Sequence, residues 1–315
     1  MDEDLEDMLR RAEAAFGHRT PAEAIPKTRA IVGPWNIPNS QEAAATAMKK
    51  LKIGAVPSAN ELIALEYVIR VMRPAPLLTN GVPDTIDIPG EILHTAEIKE
   101  RWQRFRDNAA ALTRAVGRID HPHPSIGHAG TGFLVQEGVL ATNNHVLQIL
   151  SGGTGLIPAD AGIKVYFNME YTTPDPADTI ARVLGVVAKH PTQDIVLLEV
   201  EKHRGRPILG LDVKTAMEPG HPVTVVGYPA KPNGHNPLFT DGIFGGKYGV
   251  KRAAMGEVIR TNKQALIYHD CSTLGGNSGS PVLSLESHGV VGIHSSGAFI
   301  YKNEAVRAQE IATLV

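Results

Sequence analysis

The sequence predicts a mainly β chain preceded by an α-helical N-terminal region. Three observations carry this. Before about residue 115, apolar residues recur at helical spacing. After it, short β-like runs are punctuated by Gly and Pro. That second stretch, about 200 residues, has room for two small closed sheets.

The elements follow in order. Residues 2–16 are charged, with Leu5, Met8, Leu9 and Ala12 on one face. Residues 17–39 carry Gly17, Pro21, Pro26, Gly33, Pro34 and Pro38 and read as loop. Asn39 and Glu42 form a capping-box pattern before a helix running to Leu51. Ser58 and Glu61 repeat it before Leu62, Leu65, Val68 and Ile69, and Pro74 ends that second helix. The pair reads as a helical hairpin. Residues 74–89 read as an extended connector with a turn at Asn80-Gly81. A further helix is expected over 95–116, burying Ile98, Trp102, Phe105, Ala109 and Leu112. Strands are expected at 132–135, 163–167, 181–188, 195–200, 222–227, 256–260, 265–269, 281–285 and 290–294.

Composition narrows the function. Of 315 residues, 43% are apolar and 20% charged, which excludes a disordered chain. Lys and Arg number 31 against 33 Asp and Glu, so no whole-chain pull toward nucleic acid or an acidic membrane is expected. No run approaches the ~20 apolar residues of a membrane span. Cys271 is alone, so no intrachain disulfide can form and a reducing, cytoplasmic setting is expected. Five acids in the first seven residues do not read as a signal peptide.

Three motifs carry chemistry. Asn143-Asn144-His145-Val146 follows a β-like run, Asp194 opens the apolar run 195–200, and Gly275-Gly276-Asn277-Ser278-Gly279-Ser280 is a tight Gly-rich turn. A serine hydroxyl is a weak nucleophile and needs an adjacent base. His145 is the candidate base, and Asp194 the carboxylate that fixes its tautomer. The amides of Gly276 and Ser278 are the candidate oxyanion hole. Taken singly, each residue has a plainer reading: a core histidine, a strand-initiating aspartate, a Gly-Ser turn. Their joint order makes coincidence improbable.

With these residues in view, positions 116–315 resemble the trypsin-like, chymotrypsin-fold serine peptidases. The histidine motif resembles the bacterial Deg-type branch, and Gly-Asn-Ser-Gly-Ser-Pro followed by Gly292-Ile293-His294 resembles the bacterial glutamyl endopeptidases. The resemblance implies a double six-stranded β-barrel. His145 and Asp194 would come from the first barrel and Ser278 from the second, with residues 303–311 as the final strand and short helix. The implied division is a helical region over 1–75, a connector and helix over 76–115, and a peptidase domain over 116–315, with barrels at about 116–205 and 206–315.

The resemblance also implies a substrate pocket. His294 and Thr273 would hold a carboxylate, Ser272 would stand at the pocket base, and Gly297 would pair with the substrate backbone. Cleavage after Glu, or Asp, of a protein or peptide substrate is expected. The alternative is a catalytically silent peptide-binding or scaffold protein on the same fold. No cofactor and no metal are expected. His121, His123 and His128 read as a loop leading into the barrel, and Gly245-Gly246-Lys247-Tyr248 lacks the hydroxyl residue of a phosphate loop. His269 and Asp270 read as structural, and Cys271 as a small buried residue. For the helical region, three roles stay open: adaptor for a protein partner, inhibitory segment, or brace on the barrel.

Overall fold

The computed structural model describes residues 3–16, 40–71, 73–86, 95–172, 179–232, 237–262, 265–298 and 302–315. Three helices come first: α1 (Glu3–Phe16), α2 (Ser40–Lys52) and α3 (Ala59–Val71). The second capping box forms as expected: the Glu61 carboxylate accepts the Ser58 amide at 2.6 Å, and the Ser58 hydroxyl accepts the Glu61 amide at 3.4 Å. Asn39, the first capping residue, lies outside the described residues. Met8, Ala12, Met48, Leu51, Leu65 and Ile69 close a small apolar core between the three helices.

The connector departs from a simple extended strap. Asn80 and Gly81 both take positive φ, 54° and 82°, the turn that suits a two-residue hairpin. It joins β1 (Leu78–Thr79) to β2 (Val82–Pro83). Just before it, the carbonyls of Pro74 and Pro76 accept the amides of Met255 and Ala253, so the strap lies along the second barrel. Helix α4 (Thr95–Thr113) follows and buries Trp102 and Phe105. It ends earlier than expected, because Val116 already belongs to a strand.

Two closed six-stranded antiparallel barrels make up the rest. The first contains β3 (Val116–Asp120), β4 (His128–Gln136), β5 (Val139–Thr142), β6 (Lys164–Tyr166), β7 (Ile180–Lys189) and β8 (Val196–Val200), in the order β3-β4-β5-β8-β7-β6. Helix α5 (Asn144–Leu150) interrupts it after β5. The second contains β9 (Pro222–Gly227), β10 (Arg252–Thr261), β11 (Leu266–His269), β12 (Pro281–Ser284), β13 (Val290–Ala298) and β14 (Lys302–Arg307), in the order β10-β11-β14-β13-β12-β9. Helix α6 (Pro237–Phe244), which no periodicity announced, follows β9, and α7 (Ala308–Ala312) ends the chain. Closure removes the exposed edges that short strands would otherwise present.

Buried polar groups lock the barrels together. The Tyr228 hydroxyl donates to the carbonyls of Val116 and Tyr166 at 3.3 and 3.2 Å. The buried Lys251 ammonium donates to the carbonyls of Thr113 and Phe167 at 2.8 and 2.6 Å. Each satisfies a polar group that would be costly to bury alone. These contacts tie the second barrel to the first. None of the helices described is long and apolar enough to cross a membrane.

Candidate active site

Asp194 sits in the loop between β7 and β8. His190 orders that loop, its Nδ1 accepting the amides of Thr192 and Gln193 at 3.2 and 2.8 Å. Across from it, Asn143 precedes α5 in extended conformation, without a side-chain cap of its own. Asp194 takes over the capping: its Oδ1 accepts the His145 amide at 2.9 Å. Its Oδ2 lies 2.6 Å from His145 Nδ1. Asn143 Nδ2 donates to the Asp194 carbonyl at 2.8 Å. One carboxylate thus holds both the helix start and the imidazole. Burial pushes the Asp194 carboxyl up, but hydrogen bonds from the ring and amide of His145 and from the Asn144 amide outweigh it and hold the group below its ordinary value.

Ser278 lies in the loop from β11 to β12. The Asn277, Gly279 and Ser280 amides are engaged by the carbonyls of Leu274, His294 and Asn277. Among the described residues, no backbone acceptor takes the amides of Gly276 or Ser278. Gly276 and Gly279 need to be glycine. Both have positive φ, and a Cβ at Gly276 would stand 2.5 Å from the Tyr228 carbonyl oxygen and from His128 Cε1. At Gly279 it would stand 2.0 Å from the Thr131 carbonyl oxygen.

Thr131, on β4, brings the two halves together. Its amide donates to the Ser278 carbonyl at 2.8 Å, and its hydroxyl donates to the Gly276 carbonyl at 2.7 Å. Its own carbonyl accepts the Thr142 hydroxyl at 2.7 Å, one residue before Asn143. The serine loop of one barrel is therefore bonded to the histidine strand pair of the other. In the sequence Thr131 heads the Thr-Gly-Phe-Leu-Val run that leads to the histidine motif, but its bonds across the barrels were not legible there. His128 reads there as part of a loop. His128 instead opens β4, half-buried against the serine loop, and burial, reinforced by the Arg118 charge, lowers its pKa to about 4.

Of the expected pocket residues, His294 and Gly297 lie on β13, and Thr273 is bonded to Asn303 on the neighbouring β14. His294, on β13, is buried, and its Nδ1 lies 3.2 Å from His269 Nε2. Burial, followed by the charges of His145 and Arg70, lowers His294 to about 3, so it is neutral at ordinary pH. The Thr273 hydroxyl gives its single proton to Asn303 Oδ1 at 2.8 Å. Ser272 is buried and its hydroxyl donates to the Arg73 carbonyl at 2.8 Å. Gly297 is exposed and pairs with Asn303 on β14. His269 and Asp270 are buried in polar contacts. Cys271 is buried, and burial raises its thiol pKa.

A family model for the trypsin-like peptidase domain matches residues 130–293, from β4 to β13. The chain belongs to the trypsin-like peptidases. The match spans most of both barrels, leaving out β3 and β14, and includes all three motifs. A glutamyl endopeptidase of Staphylococcus epidermidis is 27% identical over 187 residues, which is 56% of this chain and 57% of that protein. The chain thus spans little more than half the length of the curated relatives it matches. Among solved structures, the serine endoprotease from Yersinia pestis aligns over 68% of this chain and 64% of its own, with TM-score 0.47 and 17% identity. The Rv3671c protease from M. tuberculosis in its active form aligns over 65% and 81%, with TM-score 0.45 and 20% identity.

Proposed function

We propose that this peptidase-family chain is an active serine endopeptidase. The observation that carries the reading is the His145–Asp194 pair, doubly bonded and tied through Thr131 to the Ser278 loop. Ser278 Oγ attacks the scissile carbonyl while His145 Nε2 takes its proton. The oxyanion of the tetrahedral intermediate is held by the amides of Gly276 and Ser278. His145 then passes the proton to the leaving amine, and an acyl-enzyme remains. Water repeats the sequence and frees Ser278. Asp194 stays ionised throughout and stabilises the imidazolium.

Cleavage after Glu, or Asp, is the finer part of the proposal. It is supported by His294 on the wall beside the serine loop and by the likeness to a protein named glutamyl endopeptidase. If His294 Nδ1 accepts from His269, its Nε2–H is free to donate to a carboxylate. The opposite tautomer would leave His269 Nδ1–H as a buried donor without a partner, the costlier arrangement. Thr273 joins only by turning its hydroxyl away from Asn303, so His294 carries most of the recognition. The substrate backbone is proposed to run beside Gly297 as an added strand. A cytoplasmic setting is proposed on cysteine usage alone.

A fluorophosphonate probe tests the reaction. It is expected to label the wild type and to leave Ser278→Ala unlabelled. No labelling of the wild type would favour the silent peptide-binding reading instead.

A further inference from the structure

The pocket wall is bonded to the helical region in a way that chain distance hides. Arg70, in the last turn of α3, is fully buried. Its Nε donates to Glu66 Oε1 at 2.7 Å, and its Nη1 donates to the Cys271 carbonyl at 2.6 Å. The same carbonyl accepts Asn303 Nδ2 at 2.6 Å, and Asn303 Oδ1 accepts the Thr273 hydroxyl at 2.8 Å. A relay of hydrogen bonds thus runs from Arg70 through the Cys271 carbonyl and Asn303 to Thr273. Beside it, Ser272 is held by the Arg73 carbonyl, and the Arg73 guanidinium pairs with Asp270 at 2.9 Å and Glu257 at 3.0 Å.

Charge is shared unevenly at the same place. Glu66 is shared by Arg70 and Arg11, whereas Arg73 meets both Asp270 and Glu257. Of these three carboxylates Glu66 and Asp270 are fully buried and Glu257 is partly exposed. Arg70 Nη2 has no hydrogen-bond partner among the described residues. The field of Arg70 also reaches the pocket, where it adds to burial in opposing protonation of His294 and of His269. A neutral His294 offers a carboxylate a hydrogen bond but no charge. The Arg70 guanidinium, which shares Glu66 with Arg11, is the positive group behind the wall that can distinguish a carboxylate from its neutral isostere, and its field acts further in that medium than in water.

We propose that Arg70 is a positioning residue for the substrate pocket, holding its wall and supplying the charge that makes an acidic side chain the preferred occupant. The proposal rests on the acid-pocket reading above. Arg70 acts through the Cys271 carbonyl, Asn303 and Thr273 and through its field, without touching substrate.

The test uses the full chain and two peptides that differ only in Glu or Gln before the scissile bond. Rates are taken per probe-reactive serine. The wild type is expected to prefer Glu. Arg70→Met should lose at least about tenfold of that preference, mainly through KM, while the Gln peptide and probe labelling change by less than about threefold. Arg70→Lys should recover part of the loss, because it keeps the charge without the fork. Asn303→Leu breaks the same relay and releases the Thr273 hydroxyl, so it should change the same ratio, and the double variant should differ from the product of the two. An unchanged ratio in Arg70→Met overturns the proposal. So does an equal loss on both peptides and in labelling, which is what a purely structural role gives. If Arg70→Met does not fold, Asn303→Leu decides, and an unchanged ratio there overturns the proposal. A wild type indifferent to Glu and Gln overturns the acid-pocket reading and this proposal with it, whereas a preference for Glu that survives both variants overturns only the role of Arg70.

Discussion

The two walls of the cleft are built from different distances along the chain. On the first barrel, the bonds that hold the His145–Asp194 pair join residues 49 and 51 apart. On the second, the bonds that hold the pocket wall join residues 197, 199 and 201 apart, and their far ends are all Arg70 and Arg73. The bonds of the His145–Asp194 pair stay within the first barrel. The second wall is completed by the helical region. The difference teaches that the hydrolytic pair and the pocket should fail separately.

Substitutions can break that comparison on either side. The largest effect is expected from Asp194→Asn, which keeps the shape but spoils the imidazole tautomer and the helix cap. kcat should fall by about ten-thousandfold, while the Glu-to-Gln preference of what activity remains is unchanged. A comparable change in that preference would mean that the walls are coupled.

Asp270→Asn comes next. It leaves Arg73 buried against one partly exposed carboxylate, a change that typically costs about 3–5 kcal/mol. Thermal unfolding should detect it, and limited proteolysis should cut residues 40–73 sooner than in the wild type. pH gives the same test without substitution. Burial raises the Asp270 carboxyl, but the charges of Arg73 and Arg11 outweigh it, so its folded pKa lies below the ordinary value. Its contribution is therefore present in full above the unfolded carboxylate pKa of about 4 and is lost as pH falls through the lower folded value. Protease resistance of the helical region that faded between pH 8 and 6 would contradict this.

Gly276→Ala should follow, with kcat reduced roughly a hundred- to a thousandfold, because the added Cβ meets the Tyr228 carbonyl and shifts an oxyanion donor. Burst titration separates this from unfolding: the serine should still acylate, but slowly. The smallest effect is expected from Arg182→Ala on β7, whose pair with Glu201 is largely exposed. Neither the melting temperature nor the peptide preference should move measurably.

The same contrast explains what could be read in the sequence. The catalytic motifs were legible because each is local: a glycine that only a tight turn requires, an aspartate opening an apolar strand, a histidine at a helix start. The Ser58–Glu61 cap was legible for the same reason. Of the β1–β2 hairpin only the Asn80-Gly81 turn was legible, because two-residue strands carry no periodicity. Helix α6 was not legible: its eight residues include Gly242 and lack a repeating apolar face. Strand β3 was hidden where its apolar residues continue the pattern of α4. Arg70 left one unused signal. Glu66 and Arg70 stand four residues apart in a run that is otherwise mostly apolar, the spacing of an ion pair carried into a core. Its partner across the barrel could not be inferred, because nothing in one chain's sequence pairs position 70 with 271.

Control of the site ties these points together. In trypsin-like zymogens a freed amino group pairs with an acidic residue just before the serine. Here that residue is Asn277, buried and uncharged, its side-chain amide donating to the Leu274 carbonyl at 3.2 Å. A new ammonium would be desolvated there without a counter-charge. The helical region already occupies the rear of the pocket wall, so cutting ahead of the barrels should not be needed. The direct measurement is mass spectrometry of the fluorophosphonate adduct on a cleavage-resistant full-length chain, beside a truncation starting near residue 115. The account predicts an adduct on Ser278 of the uncut chain, with the Glu preference present there and weakened in the truncation. An adduct that forms only on trimmed protein, and only while its new α-amino group is free, would contradict it.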